Sequence, residues 1–191
     1  MTDPELVAQI KVGNEKAFRL LVEQYQRMVL HTCLGFVQDR NDAEDLAQEV
    51  FIELFRAMDK FRGESGLSTW IYRIAVNRSL NFIRDQKRRC FFQSISTRLT
   101  GGTTVDVADQ SWRSRPDHEV ENNQRRANLY QAINRLPERQ RVAFTLSKLE
   151  GLSYQDIAGI MGLSLSSVES LIHRAKLGLQ KQLYQCYKKG L

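Results

Sequence analysis

LPERQRVAFTLSKLEGLSYQDIAGIMGLSLSSVESLIHRAK, residues 136–176, alternates short apolar repeats with residues that begin and end helices. Pro137 suits the first position of a helix, where its fixed φ is preorganised and its missing N–H is not needed. Val142, Ala143, Leu146 and Leu149 then recur at helical spacing, and Gly151 stands where that helix can end. Ser153 followed by Asp156 is a capping-box-like start for a helix over 154–161, only about two turns long and closed by Gly162. After a turn at Leu163-Ser164-Leu165, a longer helix from about Ser166 to Tyr184 places Val168, Leu171, Ile172, Ala175 and Leu179 on one side. Two helices joined by a glycine-containing turn, the second longer and basic toward its end, form the helix-turn-helix pattern. Its outer face holds Ser166, Ser167, Glu169, Ser170, His173, Arg174 and Lys176, the early ones nearest base edges in a groove-docked helix. An αα-hairpin inside a bundle is the bland alternative; the small, polar start of the second helix favours DNA. A helix over 121–136, with Ala127, Tyr130, Ile133 and Leu136 at helical spacing, precedes this block.

Upstream, residues 1–89 hold four further helical patterns. Those over 3–10 and 15–36 are parted by Gly13-Asn14, and the second carries Ala17, Leu20, Leu21, Tyr25, Met28 and Val29. A third, from Asn41 or Asp42 to about Asp59, has Ala47, Val50, Phe51, Leu54, Phe55 and Met58 on one stripe and Asp42, Asp45, Glu49 and Glu53 on the other side. Such an acidic stripe reads as a solvated face or as a docking surface for a basic protein. Nuclease carboxylates would instead converge from separate elements. After the polar loop FRGESG (61–66), a fourth helix begins near Ser68 or Thr69, both fair N-caps. Ile71, Ala75 and Phe82 share one side of it. Arg73, Asn77, Asn81, Arg84 and Arg88 fall within a sector of roughly 80°, with Trp70 at its edge. Arginine and asparagine contact phosphates and base edges, and Trp70 and Tyr72 are placed to stack on unpaired bases.

The charge pattern supports this division. The 191 residues carry 28 basic and 22 acidic side chains, for +6. Residues 121–191 account for +6, residues 90–120 for −1 and residues 1–89 for +1. That last small sum hides −5 over positions 39–53 and +5 over positions 73–89. Proline occurs only at Pro4, Pro116 and Pro137, which favours helix throughout. The stretch 90–120 is rich in Ser, Thr, Gly and Asp and reads as a flexible linker, with Phe91, Phe92 and Trp112 suggesting contacts along it. It is too long for a loop inside one compact domain. The expected architecture is all-α: two small helical domains, 1–89 and 121–191, joined by the linker, the second a helix-turn-helix domain.

Several classes drop out. No apolar run approaches the roughly 18 residues of a membrane span, and the amino terminus does not read as a secretory signal. Cys33, Cys90 and Cys186 form no CxxC pair, and His31, His118 and His173 are scattered. Neither a zinc site nor a hydrolase, metalloprotease or phosphate-loop motif is present. No cofactor or metal is expected, and nothing calls for an enzyme.

Two stretches together, DAEDLAQEVFIELFRAMDKFRGESGLSTWIYRIAVNRSLNFIRDQKRR (42–89) and the quoted 136–176, resemble the extracytoplasmic-function, or group IV, sigma factors of bacterial RNA polymerase, within the sigma-70 family. The resemblance implies a non-catalytic cytoplasmic specificity subunit that binds core polymerase and recognises promoter DNA, double- and single-stranded. Asp42, Asp45, Leu46, Gln48, Glu49, Ile52 and Glu53 would meet the clamp helices of the largest polymerase subunit. Gly63, Glu64, Ser65, Gly66, Leu67 and Ser68 would capture a flipped base of the minus-ten element, with Trp70, Arg73, Asn77, Arg78, Asn81, Arg84 and Arg88 on the adjoining recognition helix. The outer face of 166–176 would read the minus-thirty-five element, and the linker would thread toward the polymerase active-site and RNA-exit channels. An anti-sigma factor is implied as a further partner, with no membrane insertion by this chain itself. Glu169 departs from the Lys or Arg often found there; an acid can accept from cytosine N4. An ordinary helix-turn-helix repressor, with a sensing first domain, is the competing reading.

Overall fold

The computed structural model describes residues 2–99 and 119–188. The chain divides into two compact units, Met1–Ser111 and Trp112–Leu191. Among the described residues the first unit holds helices α1 (Asp3–Lys11), α2 (Glu15–Val37), α3 (Arg40–Ala57) and α4 (Leu67–Leu99), with a 3₁₀ turn at Met58–Lys60. The second holds α5 (Glu119–Asn134), α6 (Glu138–Lys148), α7 (Tyr154–Met161) and α8 (Leu165–Lys188), and no strand occurs among the described residues.

In the first unit the helix ends are set by side chains close by. Asn14 Oδ1 accepts from the Lys16 and Ala17 amides at 3.0 and 3.3 Å, starting α2. Gln38 ends α2 in the left-handed region, with φ 66°, and returns its N–H to Leu34 O. Asp39 then accepts from the Asp42 amide at 2.9 Å, so α3 starts at Arg40, slightly earlier than its acidic stripe alone suggests. α2 packs on both α3 and α4, and these pack on each other. Leu21, Val29, Cys33, Val50, Leu54, Ile71 and Ala75 are fully buried between them, and α1 adds Leu6, Val7 and Ile10.

Two expectations change at α4. The helix begins at Leu67, and the Trp70 amide bonds Gly66 O at 3.2 Å, so Ser68 and Thr69 lie in the first turn and are not N-caps. It also runs on to Leu99, so the first ten residues assigned to the linker are helical. Residues 90–99 lack an amphipathic period, but they contain neither Gly nor Pro, and an existing helix adds residues without a new nucleation cost. Residues 100–118, with Trp112, lie outside the described residues.

In the second unit Pro137 is the N-cap, with φ −52° and ψ 141°, one place outside the position its ring suggests. Ser153 Oγ accepts from the Asp156 amide at 3.1 Å, and Gly162 closes α7 at φ 63°. The Ser167 amide donates to Ser164 Oγ and the Val168 amide to Ser164 O, so α8 starts at Leu165 and the turn is shorter than the pattern indicates. α5, α6 and α7 all pack on α8. Ile133, Val142, Leu146, Ile157, Val168, Ile172 and Ala175 are buried in this unit. A Cβ on Gly178 would stand 3.1 Å from Leu136 Cδ2; glycine lets α8 pass this closely beside the end of α5.

α1 is tied to α2 by the hydroxyl of Tyr25. Tyr25 Oη donates to Asp3 Oδ2 at 2.7 Å, and Gln24 Nε2 donates to Asp3 Oδ1 at 3.2 Å. Burial, and then the hydrogen bond and charge of Asp3, raise the Tyr25 pKa well above its ordinary 10.0. The fold therefore keeps a proton that the unfolded chain releases above about pH 10. The stability contributed by this tyrosine is fully present below that pH and falls above it. Urea midpoints of the parent chain and Tyr25→Phe, compared at pH 8 and pH 11, should converge as the pH rises.

Candidate nucleic-acid interface

Ile71, Ile74 and Ala75 of α4 face the core and Tyr72, Val76, Leu80 and Ile83 are buried further round the helix; the sector left between them presents Asn77, Asn81, Arg84 and Arg88 to solvent, with Arg73 half-exposed in line. From Asn77 to Arg88 this stripe is about 17 Å long. Arg84 Nη1 donates to Asn81 Oδ1 at 3.2 Å, and Arg88 Nη1 lies 3.7 Å from Asp85 Oδ1. Because α4 continues past Arg89, Phe91 joins the same stripe at 62% exposure. The sequence signal for it is the i+3 step from Arg88, which the Ser- and Thr-rich composition that follows obscures.

Arg78 stands apart from the stripe. Its Nη1 is 3.6 Å from Glu49 Oε2, and its Nε donates to Glu53 Oε2, so it faces α3. The next residue along a helix is turned by 100°, which takes Arg78 off the line of Asn77. Tyr72 is buried and so is not placed to stack on a base. Trp70 is half-buried, its ring lying on that of Phe61 with centroids 4.8 Å apart.

The loop between the 3₁₀ turn and α4 sits at the start of this stripe. Gly63, Glu64 and Gly66 are exposed and Ser65 and Ser68 half-buried. Gly63 has φ 74°, a conformation that any side chain would strain. Arg62 Nη1 lies 3.9 Å from Glu64 Oε1. Leu67 is buried in the core and anchors the loop, so it does not belong to the exposed capture surface.

On α3, Asp45, Gln48, Glu49 and Ile52 face outward, with Asp42 and Glu53 half-buried. Leu46 is only 3% exposed and packs in the core, so it offers no docking surface: it shares the inward line of Ala43, Ala47, Val50 and Leu54. Phe55, expected on the inward stripe, is exposed and meets the Phe18 ring edge-on, centroids 4.9 Å apart. Ile52 and Phe55, one turn apart, thus add an apolar element to the acidic face. The displacement of Phe55 from the 43–46–50–54 line is the signal that separates it from the core.

α8 presents Ser166, Glu169, Ser170, His173, Arg174 and Lys176 as exposed side chains. Ser167 is half-buried, and its hydroxyl lies 2.8 Å from Ser164 Oγ, which makes it part of the helix start.

Residues 21–89 match the family model for Sigma-70 region 2, and residues 126–179 match that for Sigma-70, region 4. These two blocks, one on each unit, put the chain in the sigma-70 family. RNA polymerase sigma-H factor of Pseudomonas aeruginosa is 38% identical over 181 residues, 95% of this chain and 93% of its own length. ECF RNA polymerase sigma-E factor of Escherichia coli K12 is 36% identical over 188 residues, covering 96% and 95%. In fold the chain is similar to the sigma factor RpoE of Bartonella quintana, solved in complex with the anti-sigma factor NepR, with TM-score 0.59, 24% identity and coverage of 88% and 98%. Within the sigma-70 family, the chain belongs to the extracytoplasmic-function sigma factors.

The geometry separates packing from surface on α3. Leu46→Ala should destabilise the chain by about 2–5 kcal/mol. Ile52→Ala should change stability by less than about 0.5 kcal/mol. Arg78→Met, which removes half-exposed ion pairs, should cost at most about 1 kcal/mol. Urea unfolding of the three variants checks all three figures.

Proposed function

We propose that this chain is an alternative sigma factor: it binds core RNA polymerase, directs it to promoters with minus-ten and minus-thirty-five elements, and stabilises strand opening. It is a specificity subunit that performs no catalytic step and works in the cytoplasm. The observation that carries the reading is the pair of outward faces of different charge in the first unit, acidic and apolar on α3, Arg- and Asn-bearing on α4, joined in one chain to a helix-turn-helix unit.

The roles follow from the chemistry of each face. Asp45, Gln48, Glu49, Ile52 and Phe55 dock on the polymerase clamp helices, Ile52 and Phe55 adding desolvated contact within an acidic rim. Gly63 to Gly66 receive a base extruded from the non-template strand, whose unstacking must be offset by contacts in the loop. Arg73, Asn77, Asn81, Arg84 and Arg88 hold the adjoining DNA. Ser166, Glu169, Ser170, His173 and Arg174 read the upstream element from the major groove, with Lys176 on phosphate. The working surfaces lie inside residues 1–89 and 121–191, with Phe91 on the α4 extension beside them, and the stretch beyond that helix threads toward the polymerase active-site and RNA-exit channels. The Bartonella relative's complex with an anti-sigma factor supports an antagonist of the same kind here.

Transcription from genomic fragments with cognate core polymerase tests the reading. Discrete start sites should appear only when the chain is added, and a lack of any chain-dependent transcript would overturn it. Tight binding to a palindromic site without polymerase would instead indicate a repressor. Within the leading reading, Asp45→Ala with Ile52→Ala should weaken core binding about fivefold or more. Arg84→Ala with Arg88→Ala should leave core binding intact and lower the salt slope of promoter binding by about 2. Titration of labelled core and of promoter DNA at several salt concentrations separates the two effects.

A further inference from the structure

α1 lies outside the matched residues 21–89, yet it reaches the loop that those residues contain. Lys11, the last residue of α1, donates from Nζ to the carbonyl oxygen of Phe61 at 2.7 Å. Phe61 is where the chain departs into the loop. Its N–H bonds Met58 O at 3.1 Å, and its ring lies on Trp70 beyond the loop. Phe61 has φ −70° and ψ 114°, and ψ is the angle that sets both the direction of its carbonyl and the heading of the chain into Arg62. A donor that holds this oxygen therefore fixes the angle at which the loop leaves the core.

α1 is itself anchored. Leu6, Val7 and Ile10 are buried in the core, and Asp3 is held by Tyr25 and Gln24. The helix is too short to be stable alone, so its position comes from these contacts. It runs from a fixed point on α2 at its start to the base of the loop at its end.

We infer that Lys11 is a positioning residue for the 62–66 loop: without touching DNA, it holds the loop in the shape that selects the extruded base. The inference rests on the base-capture reading of the loop given above. A loop already held in its bound shape has less conformational entropy to lose on binding, so more of the contact energy is available for discrimination.

The experiment uses the full-length chain with cognate core polymerase and a promoter mapped with the parent protein. Templates carry each of the four bases at every non-template position of the minus-ten element, and open-complex formation is scored in competition. Lys11→Met, which keeps the stem and removes the donor, should reduce discrimination about threefold to tenfold at one position. Lys11→Arg should retain it, and core affinity and the urea midpoint of Lys11→Met should match the parent. A loop variant, Glu64→Ala with Ser65→Ala, should lose discrimination at that same position. If the loop variant loses it while Lys11→Met keeps parental discrimination, the positioning role is overturned and the loop reading stands. If Lys11→Met unfolds early or weakens core binding in parallel, its role is merely structural and the inference fails. If the loop variant discriminates as the parent does at every position, the base-capture reading falls, and the inference with it.

Discussion

Burial of Ile71, Ile74 and Ala75 against α2 and α3 fixes the rotation of α4 about its own axis. Each isoleucine contributes roughly 1.5–3 kcal/mol relative to exposure and the alanine less, and rotating the helix would give up part of that burial. Every other position on the helix is assigned by that constraint. Asn77, Asn81, Arg84 and Arg88 point to solvent because they occupy the sector that the buried residues leave, and Arg78, turned 100° from Asn77, meets α3. The cationic stripe is thus the geometric complement of the core.

The constraint also joins the two outward faces of the first unit. Glu49 and Glu53 belong to the acidic side of α3, and both meet Arg78 of α4. These pairs are half-exposed and contribute modestly to stability. Their interest is that one arginine neutralises part of a surface whose proposed partner is basic. Asp45 and Gln48, further along α3 toward its start, keep the acidic and polar character that the Arg78 contacts reduce at Glu49 and Glu53.

Local patterns in the chain account for much of this architecture. The helix-turn-helix is written in Ser153, Gly162 and the apolar spacing of 157–179, and the core of α2 in its Leu and Val repeat. Helix starts differ by a residue or so at α3, α4, α6 and α8, where a carbonyl or side chain one position away is the cap, whereas the far end of α4 lies ten residues on because nothing in 90–99 stops the helix. The larger differences come from contacts across distance in sequence. Leu46 sits beside acidic residues but points inward; Phe55 keeps the apolar character of a core residue and points outward. Arg78 lies among solvent-facing Asn and Arg neighbours and pairs twenty-five residues back. Helical periodicity reports that a side exists and leaves open what lies against it. The Lys11–Phe61 bond, spanning fifty residues, leaves no periodic trace at all.

The long unbroken run of α4 has a mechanical side. Beyond Ile83 every residue from Arg84 to Phe92 is exposed, so the helix there leaves the body of the unit while remaining rooted in it. Its backbone behaves as a cantilever whose stiffness comes from the buried root, with charges at a pitch of about 1.5 Å per residue. A flexible arm of the same composition would have to be ordered on each encounter with a polyanion. Here Arg84 and Arg88 are held on a ruled edge before any partner arrives, and only the side chains remain to be settled.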